Sequence, residues 1–388
     1  MKTAFIYAPE FEHFTYSPKH PLKPIRFKLT YELAKAYNLF QVPNARLIPA
    51  QPCTEEDLAT VHSVEYIEAV RYGAARFPEW DLNSFGLGTA ENPIFPQVYD
   101  WSRLAVGASL QAAQLVASGA ADIAFNIAGG QHHAARHRAA GFCYFNDAAI
   151  VIWHLVNQGL RVAYIDIDAH HGDGVQEIFY HTNQVLKISI HESGQYLFPW
   201  SGFEREIGLG AGTGYTVNVP LLPHSDDELF WEAFQAVVPP LLACFKPDVL
   251  VTQLGVDAFH SDPLTTLSVT TNGFCRVIAA LKRLSPGKWV ALGGGGYDIL
   301  HVPRAWTLAW AMMNDIKLPD QLPEPYWQLI RNMRQCNGNR HLRDNPLQAK
   351  HIRKEKNRKA LATTLNYLRE HQFEIICEDK QPMPGSIY

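Results

Sequence analysis

An aspartate and a histidine separated by one residue are the first feature of this sequence that could do chemistry. Asp168 and His170 follow the β-branched run 161–167 (RVAYIDI), and side chains two apart on an extended chain point to the same side. Asp257 follows a second apolar run, 248–255 (DVLVTQLG). Two carboxylates, one imidazole and an open fourth position suit a catalytic zinc ion. We predict one zinc ion per chain at these residues, although D-x-H alone also fits a strand-end carboxylate hydrogen-bonded to a histidine.

Two adjacent histidines, His132 and His133, lie in a glycine-bounded loop. Two further aspartates, Asp166 and Asp173, flank the metal candidates. A histidine that acts near neutral pH needs a partner at its other ring nitrogen to set its tautomer and charge. Beside a metal, two imidazoles with two such partners predict general acid and base catalysis, which is worth about 10²- to 10⁴-fold in rate.

Four consecutive glycines, Gly293 to Gly296, precede Tyr297. Such a backbone can turn sharply and approach a ligand closely, and it ends here in a phenol donor. A phosphate cradle is the competing interpretation, but neither G-x-G-x-x-G nor G-x-x-x-x-G-K-[ST] occurs. We therefore predict a tyrosine hydroxyl aimed at a metal-bound carbonyl.

Short apolar runs alternate with helical stretches along the chain. We predict strands at 121–127, 161–167, 185–190, 248–255 and 288–292, and helices at 102–118, 146–158, 226–244 and 270–284. This alternation indicates an α/β fold with a mostly parallel sheet and helices on both faces. Ligands of such sheets bind beyond the carboxyl ends of the strands, where all the motifs above occur. We expect one catalytic domain, residues 1–320, and a basic helical extension, residues 321–388, packed on it or flanking it.

The composition is that of a globular protein without a strong net charge. Of 388 residues, 47% are hydrophobic and 19% are charged, and the formal net charge is -4. The chain has no overall attraction to nucleic acid or to an anionic membrane. No run of 18 apolar residues occurs, and the N-terminal apolar run is too short for a signal peptide. We expect a cytoplasmic protein with neither a membrane nor a nucleic acid as partner.

The cysteines lie far apart, and no C-x-x-C pair occurs. We predict that all of them are reduced thiols. They are Cys53, Cys143, Cys244, Cys275, Cys336 and Cys377.

Basic residues are concentrated near the C-terminus. Residues 331–360 contain ten Lys and Arg against two Asp and Glu. This pattern favours a solvated helix face that packs on the acidic remainder of the chain, and the alternative is a docking surface for an acidic partner or a nucleic acid.

The segments that carry these motifs are GGQHHAARHRAAGFCYFNDAAI, YIDIDAHHGDGVQEIFY, LGVDAFHSDP and GGGGYDILHVPRAWT. They resemble the signature blocks of the histone deacetylase family, of which the class I-like branch with the bacterial acetoin-utilisation deacetylases is the most similar. IYAPEFEHF and HPLKPIRFKLTYEL extend the similarity to about residues 3–315. The resemblance implies an arginase-like fold and zinc-dependent hydrolysis of N-acyl-lysine amides, with an acylated protein or a small acylated amine as substrate.

The resemblance implies the same zinc ligands as the spacing does. It also implies that Asp166 orients His132 and that Asp173 orients His133. In the hydrolysis, His133 would act first as base and then as acid, and His132 would assist electrostatically. Tyr297 would hydrogen-bond the acyl carbonyl oxygen.

A substrate tunnel and an acetate-release cavity are implied as well. Phe142 and Phe198 would form the walls around the lysine methylenes, and the carbonyl of Gly141 would accept the substrate amide proton. Arg26 and Cys143 match residues of the cavity.

Two sites for a monovalent cation, usually potassium, complete the resemblance. The first would be built from Asp166, Asp168, His170, Ser189 and Ile190. The second would use backbone oxygens of Phe179, Thr182, Val185 and Tyr215. A cation beneath two aspartates offsets their mutual repulsion.

The rim of the predicted tunnel departs from the family. Glu91 stands where the family usually has an aspartate that binds the substrate backbone. The segment 199–202 (PWSG) replaces Pro-Gly-Thr-Gly and puts the indole of Trp200 near the mouth. Leu264 is an apolar rim residue. These departures bear on the substrate range and leave the catalytic set complete.

Three other functions are alternatives. A two-manganese ureohydrolase of the same fold needs a carboxylate at position 172, where Gly172 stands. Acetylpolyamine hydrolysis favours an acidic rim, which Glu91 offers and Leu264 does not. An inactive acyl-lysine reader has no physical reason to keep a complete cluster of charged ligands.

Overall fold

Eight strands form one sheet at the centre of the structure, a computed structural model that describes residues 1–14, 16–17, 19–73, 81–333, 339–347 and 351–378. The strands are β1 (Thr3–Tyr7), β2 (Ala45–Pro49), β3 (Ile123–Asn126), β4 (Val162–Asp166), β5 (Val185–Glu192), β6 (Thr216–Leu221), β7 (Val249–Gln253) and β8 (Trp289–Leu292). Their order is β2-β1-β3-β8-β7-β4-β5-β6, and every neighbouring pair is parallel. The central strands are buried throughout, which explains their largely apolar sequences.

Helices flank this sheet. They are α1 (Ile25–Ala36), α2 (Glu55–Ala59), α3 (Val64–Tyr72), α4 (Val98–Ala117), α5 (Asp147–Val156), α6 (Asp173–Ile178), α7 (Asp227–Phe245), α8 (Thr271–Leu284), α9 (His301–Met313), α10 (Glu324–Asn332), α11 (His351–Leu368) and α12 (Glu374–Glu378). The predicted strands and helices are all present, with ends that differ by a few residues. Among the described helices, none has both the length and the apolar character that a membrane crossing needs.

The four motif-bearing loops follow four strands that are neighbours in the sheet. The histidine pair follows β3, the glycine run follows β8, Asp257 follows β7 and the D-x-H motif follows β4. These strands are adjacent in the order β3-β8-β7-β4. Because the sheet is parallel, all four loops leave it at the same edge, and residues more than 100 positions apart in sequence meet there.

The C-terminal extension packs against the sheet-bearing part of the chain. Helix α11 contacts α7 and strand β6, and α10 contacts α1. Lys354 lies 3.0 Å from Asp226, and Arg358 lies 3.0 Å from Glu232. These ion pairs agree with a basic segment that packs on an acidic body; positions 334–338 and 348–350 of that segment lie outside the described residues.

The extension also covers the outer edge of β6. The buried side chain of Gln372 donates from Nε2 to the carbonyl oxygens of Gly214 and Thr216. Backbone acceptors at this edge of the sheet are therefore bound within the chain.

The prediction of reduced thiols at all six cysteines is wrong for two of them. Cys244, near the end of α7, forms a disulfide bond with Cys377 in α12, across a sequence separation of 133 residues. Only the packing of the extension against α7 brings them together, so no local spacing could indicate the bond. Cys53, Cys143 and Cys275 are free, and Cys336 lies outside the described residues.

Candidate active site

The three predicted metal ligands lie together at the carboxyl edge of the sheet. One ligand atom each from Asp168, His170 and Asp257 lies within 4.8 Å of the other two, and all three residues are buried. Nδ1 of His170 lies 2.9 Å from Oδ2 of Asp257 and 3.2 Å from Oδ1 of Asp168. Two carboxylates and one imidazole fit a zinc ion and leave it a position for a further ligand.

Hydrogen bonds fix the two ligand carboxylates. Gln253, the last residue of β7, donates from Nε2 to Oδ2 of Asp168 at 2.6 Å, and the N–H of Gly295 donates to the same oxygen at 2.8 Å. The N–H of Ala169 donates to Oδ1 of Asp257 at 2.7 Å. These donors orient the carboxylates before any ligand arrives.

The glycine run lets the loop after β8 reach both carboxylates. A Cβ atom at Gly295 would lie 2.0 Å from Oδ2 of Asp257 and 2.8 Å from Oδ2 of Asp168. The neighbouring Gly294 has a φ of 137°, which L side chains rarely adopt. The small glycine residues thus let the loop backbone contact both carboxylates.

Each histidine of the pair has a carboxylate at its Nδ1 atom. His132 lies 2.8 Å from Oδ2 of Asp166, and His133 lies 2.6 Å from Oδ1 of Asp173. The Nε2 atoms of the two rings are 3.0 Å apart, so both rings present Nε2 to the same place. The hydroxyl of Tyr164 also donates to Oδ2 of Asp166, at 2.7 Å.

The two histidines have opposite pKa shifts. Burial alone would lower the pKa of His132, but the carboxylates of Asp166 and Asp168 raise it to about 9. Burial, together with the charge of His132, lowers the pKa of His133 to about 4. His133 is therefore uncharged at neutral pH. Its ring centroid lies 5.8 Å from that of the metal-ligand candidate His170.

Tyr297 stands at the end of the glycine run. Its N–H donates to Oδ2 of Asp262 at 2.7 Å, and the carbonyl of Gly296 accepts from Arg26 at 2.8 Å. Burial and the charge of Asp257 raise the pKa of Tyr297 well above its ordinary value of 10. The phenol thus stays protonated and can donate a hydrogen bond.

A cavity of about 20 Å³ is lined by eight of the predicted site residues. Those in its wall are Arg26, His132, His133, Gly141, Phe142, Cys143, Asp168 and Tyr297. The acid–base pair and the phenol therefore border one space.

Aromatic rings lie next to His133 and Tyr297. The ring of Phe198 lies 5.1 Å from that of His133, and the ring of Phe142 lies 5.6 Å from that of Tyr297. A Cβ atom at Gly141 would lie 2.4 Å from Cδ2 of His133. Phe198 and Phe142 thus lie beside His133 and Tyr297 respectively.

Arg26 is a buried cation at the inner side of this cavity. Its guanidinium lies 5.2 Å from the ring of Trp306, and among the described residues its Nε atom has no hydrogen-bond partner. Cys143 donates from Sγ to the carbonyl of Gly141 at 3.3 Å, and burial raises the pKa of its thiol well above 9. A buried cation with a spare donor suits a small anion.

The residues of the first predicted cation site are also adjacent. Asp166 on β4 is paired in register with Ser189 on β5, followed by Ile190. The Ser189 Oγ atom lies 2.8 Å from Nδ1 of His191. Asp166 and Asp168 are 0% and 1% exposed, so a cation between these strands would offset two buried negative charges. The residues fit such an ion.

One carbonyl of the second predicted cation site, that of Phe179, already accepts a hydrogen bond from a lysine side chain. Phe179 follows α6, Val185 begins β5 and Tyr215 precedes β6. The Nζ atom of Lys187 donates to the carbonyl of Phe179 at 2.5 Å. Burial lowers the pKa of Lys187 to about 7.

The predicted rim residues lie further out. The side chain of Glu91 is exposed, and its backbone carbonyl lies 3.1 Å from Nε2 of His20. Leu264 is half-buried. Trp200 is 63% exposed and has a φ of 65°, and Tyr196 of the same segment is 51% exposed. The loop after β5 therefore presents two aromatic rings to solvent.

Three residues of the site were not identified from the sequence. Gln253 donates to the metal-ligand candidate Asp168, and Tyr164 donates to Asp166, the partner of His132. Asp262 accepts a hydrogen bond from the backbone N–H of Tyr297. Burial raises the pKa of Asp262 to about 8. Gln253 had a detectable signal, a polar residue that ends an apolar strand. Tyr164 lies two positions before its partner on the same strand, whereas Asp262 and Tyr297 are 35 positions apart.

Known proteins resemble the chain over most of its length. Residues 20–313 match the family model described as the histone deacetylase domain. The chain is 41% identical over 341 residues to the acetoin utilization protein AcuC of Bacillus subtilis (strain 168), which covers 86% of this chain and 87% of that protein. It is 38% identical over 337 residues to AcuC of Staphylococcus xylosus, which covers 84% and 87%.

Solved structures agree with these matches. A crystal structure of an HDAC homologue complexed with SAHA has a TM-score of 0.86 and 33% identity, and it covers 95% of this chain and 100% of its own. An HDAC homologue from Aquifex aeolicus has a TM-score of 0.84 and 32% identity, with the same coverage.

Proposed function

The chain belongs to the histone deacetylase family, and on this premise we propose that it is a zinc-dependent hydrolase of N-acyl-lysine amides that releases acetate and the free lysine. One observation carries the proposal. The metal-ligand cluster, the carboxylate-paired histidines and the protonated phenol of Tyr297 meet at one edge of the sheet. Amide hydrolysis needs an electrophile, a base that becomes an acid, and a donor to the developing oxyanion.

The metal ligands in this proposal are Asp168, His170 and Asp257. When bound, zinc would polarise the acyl carbonyl and lower the pKa of a water molecule. The three ligands provide two negative charges and one neutral nitrogen, a donor set that zinc accepts. One zinc ion per chain is the proposed stoichiometry.

His133 moves the proton. It is neutral at pH 7 because burial and His132 lower its pKa to about 4, so its Nε2 atom can take a proton from the attacking water. Asp173 at Nδ1 stabilises the imidazolium that results. The same Nε2 atom then gives the proton to the leaving lysine amine, and the charged His132 stabilises negative charge beside it.

Tyr297 and the aromatic rings orient the substrate. The phenol donates to the carbonyl oxygen as it gains charge, and one such donor is typically worth about 2.7 to 4 kcal/mol. Phe142 and Phe198 contact the lysine methylenes, and the carbonyl of Gly141 accepts the substrate amide proton. Acetate leaves toward the spare donor of Arg26.

Two of the rival functions meet physical objections. A Cβ atom at Gly172 would lie 2.6 Å from Oδ2 of Asp166 and 3.2 Å from Nδ1 of His132. A metal-binding carboxylate at this position would therefore displace the pair that orients His132, which argues against a two-manganese ureohydrolase. The complete acid–base set argues against an inactive reader.

Acetylpolyamine hydrolysis is the second candidate, since the exposed carboxylate of Glu91 could attract a cationic substrate. The apolar Leu264 favours the lysine substrate over it. We also propose a potassium ion at the first cation site, held by Asp166, Asp168, His170, Ser189 and Ile190.

The test combines metal analysis with a substrate comparison. Purified protein should contain one zinc ion per chain, and should deacetylate an acetyl-lysine peptide with a higher kcat/KM than acetylspermidine. A chelator should abolish this turnover, and added zinc should restore it. Two manganese ions per chain, or no chelator-sensitive turnover of either substrate, would overturn the proposal.

A further inference from the structure

One buried cation of the chain takes no part in the proposed chemistry. Lys187, on β5, is 5% exposed, and its Nζ atom donates to the carbonyl of Phe179 at 2.5 Å. In the part of the chain that the structure describes, no carboxylate forms an ion pair with it. A buried charge is costly unless hydrogen bonds replace its hydration. Lys187 must therefore obtain that replacement from backbone oxygens.

The carbonyl that this ammonium group binds belongs to Phe179, a residue of the second predicted cation site. Phe179 is the C-terminal cap of α6, where a helix leaves carbonyl oxygens without internal partners. The N–H of Thr182 lies 3.4 Å from the same oxygen. The main-chain N–H of Lys187 donates to the carbonyl of Tyr215 at 3.0 Å. The ammonium group itself thus binds one carbonyl of that set, that of Phe179, while the bond to Tyr215 belongs to the pairing of β5 with β6.

We propose that the ammonium group of Lys187 takes the place of the second monovalent metal ion, so that this chain holds such an ion only at the first site. In its protonated form, which predominates below the lowered pKa of about 7, the ammonium group carries the same single charge and binds carbonyl oxygens through its three N–H donors. A metal ion on the same carbonyl would lie within a few ångströms of it. Two like charges at that separation repel strongly in a protein interior.

The substitution has a structural consequence for the active site. Helix α6 begins at Asp173, the partner of His133, and ends beside Phe179. Lys187 therefore ties the far end of this short helix to β5 through a cation that is covalently attached. Unlike a bound ion, the tie does not depend on the salt in solution.

The direct test uses thallium(I), a monovalent ion that can stand in for potassium and has a strong anomalous signal. Crystals of the full chain are soaked in thallium acetate without chloride, for the wild type, Lys187→Ala and Lys282→Ala. Lys282 is the matched control, because its Nζ atom also donates to a backbone carbonyl, that of Met312, at 2.9 Å. We expect an anomalous peak against the carbonyl of Phe179 in Lys187→Ala alone.

A solution measurement checks the same point. Thermal unfolding is followed in potassium chloride and in choline chloride of equal ionic strength. Replacement of choline by potassium should raise the Tm of Lys187→Ala by about 1 °C more than it raises that of the wild type or Lys282→Ala.

Two results would overturn the proposal. One is a thallium peak on the carbonyl of Phe179 in wild-type crystals, which decides the matter even where Lys187→Ala does not fold. The other is a folded Lys187→Ala protein with neither a peak there nor an added response to potassium. Neither result depends on deacylase activity, so the outcome is separate from that of the proposed function.

Discussion

Nε2 of His301 lies 3.2 Å from Oδ1 of Asp344, a contact that joins the C-terminal extension to the start of α9. The other ring nitrogen of His301 lies 2.7 Å from Oδ2 of Asp298, the residue after Tyr297. Arg304 donates to the same Asp344 oxygen at 2.7 Å. One imidazole thus links the extension to the loop that carries Tyr297. His260 lies near enough to complete a metal-ligand set with these groups, but the guanidinium already binds the shared carboxylate.

This network should make stability depend on pH. Burial would lower the pKa of His301, but Asp298 and Asp344 raise it above its ordinary value of 6.5. Its contribution is fully present below pH 6.5 and is lost as pH rises through the raised value. Burial would raise the pKa of Asp344, but His301 and Arg304 hold it below 3.8, so its contribution is present above pH 3.8 and is lost as pH falls through the lowered value.

Asp344→Asn should therefore lower the free energy of unfolding most between about pH 4 and 6.5, by about 1.5–3 kcal/mol, because hydrogen bonds to charged groups are lost. Urea unfolding across this pH range measures the effect. Asp315→Asn is the control, since Asp315 pairs with Lys282 but its side chain is 79% exposed, and exposed pairs contribute little. Equal losses of unfolding free energy in the two variants at every pH would show that the contacts of Asp344 with His301 and Arg304 do not stabilise the fold.

Tyr297→Phe should lower kcat by about 10²-fold or more while the zinc content stays unchanged, because the variant loses only the donor to the oxyanion. Steady-state kinetics and metal analysis on the same sample measure both quantities. Tyr37→Phe also loses a hydroxyl that donates to backbone carbonyls, those of Pro319 and Gln321, and should retain wild-type kcat. An unchanged kcat for Tyr297→Phe would show that Tyr297 is not the donor to the oxyanion.

Asp173→Asn should shift the acidic limb of the kcat/KM profile to lower pH, because the carboxylate of Asp173 raises the pKa of His133 against the larger effect of burial. The maximal kcat/KM should also fall by about 10²-fold, since the imidazolium loses its partner. Glu177→Gln, an exposed change on the same helix, is the control for the loss of a charge. If the acidic limb of the kcat/KM profile were the same in Asp173→Asn as in the wild type, Asp173 would not control the pKa of His133.

Gln253→Leu should weaken zinc binding by about 10- to 100-fold, because the amide no longer orients Asp168. A competition titration with a chromogenic chelator gives the dissociation constant. Gln328 on α10 donates to Glu324 at 2.7 Å, so Gln328→Leu removes a comparable hydrogen bond elsewhere and should not change the constant. The same zinc affinity in all three proteins would show that Asp168 needs no such support.

Trp200→Gly should stabilise the fold and impair the enzyme. A non-glycine residue with a positive φ costs about 1–2 kcal/mol, and glycine removes that cost at the φ of 65° seen here. The exposed indole should contact residues that flank the acyl-lysine, so kcat/KM should fall about 5- to 10-fold for a peptide and stay unchanged for a single capped acetyl-lysine. Tyr196→Ala, an exposed aromatic without positive φ, should bring no gain in stability. Equal losses of kcat/KM on the peptide and on the single capped acetyl-lysine would show that Trp200 does not contact the residues that flank the acyl-lysine.

Local spacing predicted the part of the site that each strand end carries by itself. D-x-H, the histidine pair and the glycine run are short motifs, and the rule for parallel sheets placed them at one edge. Tyr164 lies on the same strand as its partner Asp166 and has the sequence signal of an ordinary buried strand residue. Gln253 escaped prediction because its partner Asp168 follows a different strand. The disulfide between Cys244 and Cys377 is hidden for the same reason.

Three strands were not predicted, the edge strands β2 and β6 and the buried strand β1 beside β2. Strand β2 has exposed residues in its middle, so its sequence lacks a buried pattern. Strand β6 contains Pro220, a residue that usually argues against a strand and is tolerated at a sheet edge. Central strands are apolar because both faces are covered, whereas edge strands carry a mixed signal.

Because the C-terminal extension covers the edge of β6, shortened versions of this protein should aggregate. Removal of α11 and the following residues would leave the backbone groups of that strand open to a strand from another molecule. Such truncated chains should associate edge to edge and precipitate, even though every residue of the catalytic machinery would still be present.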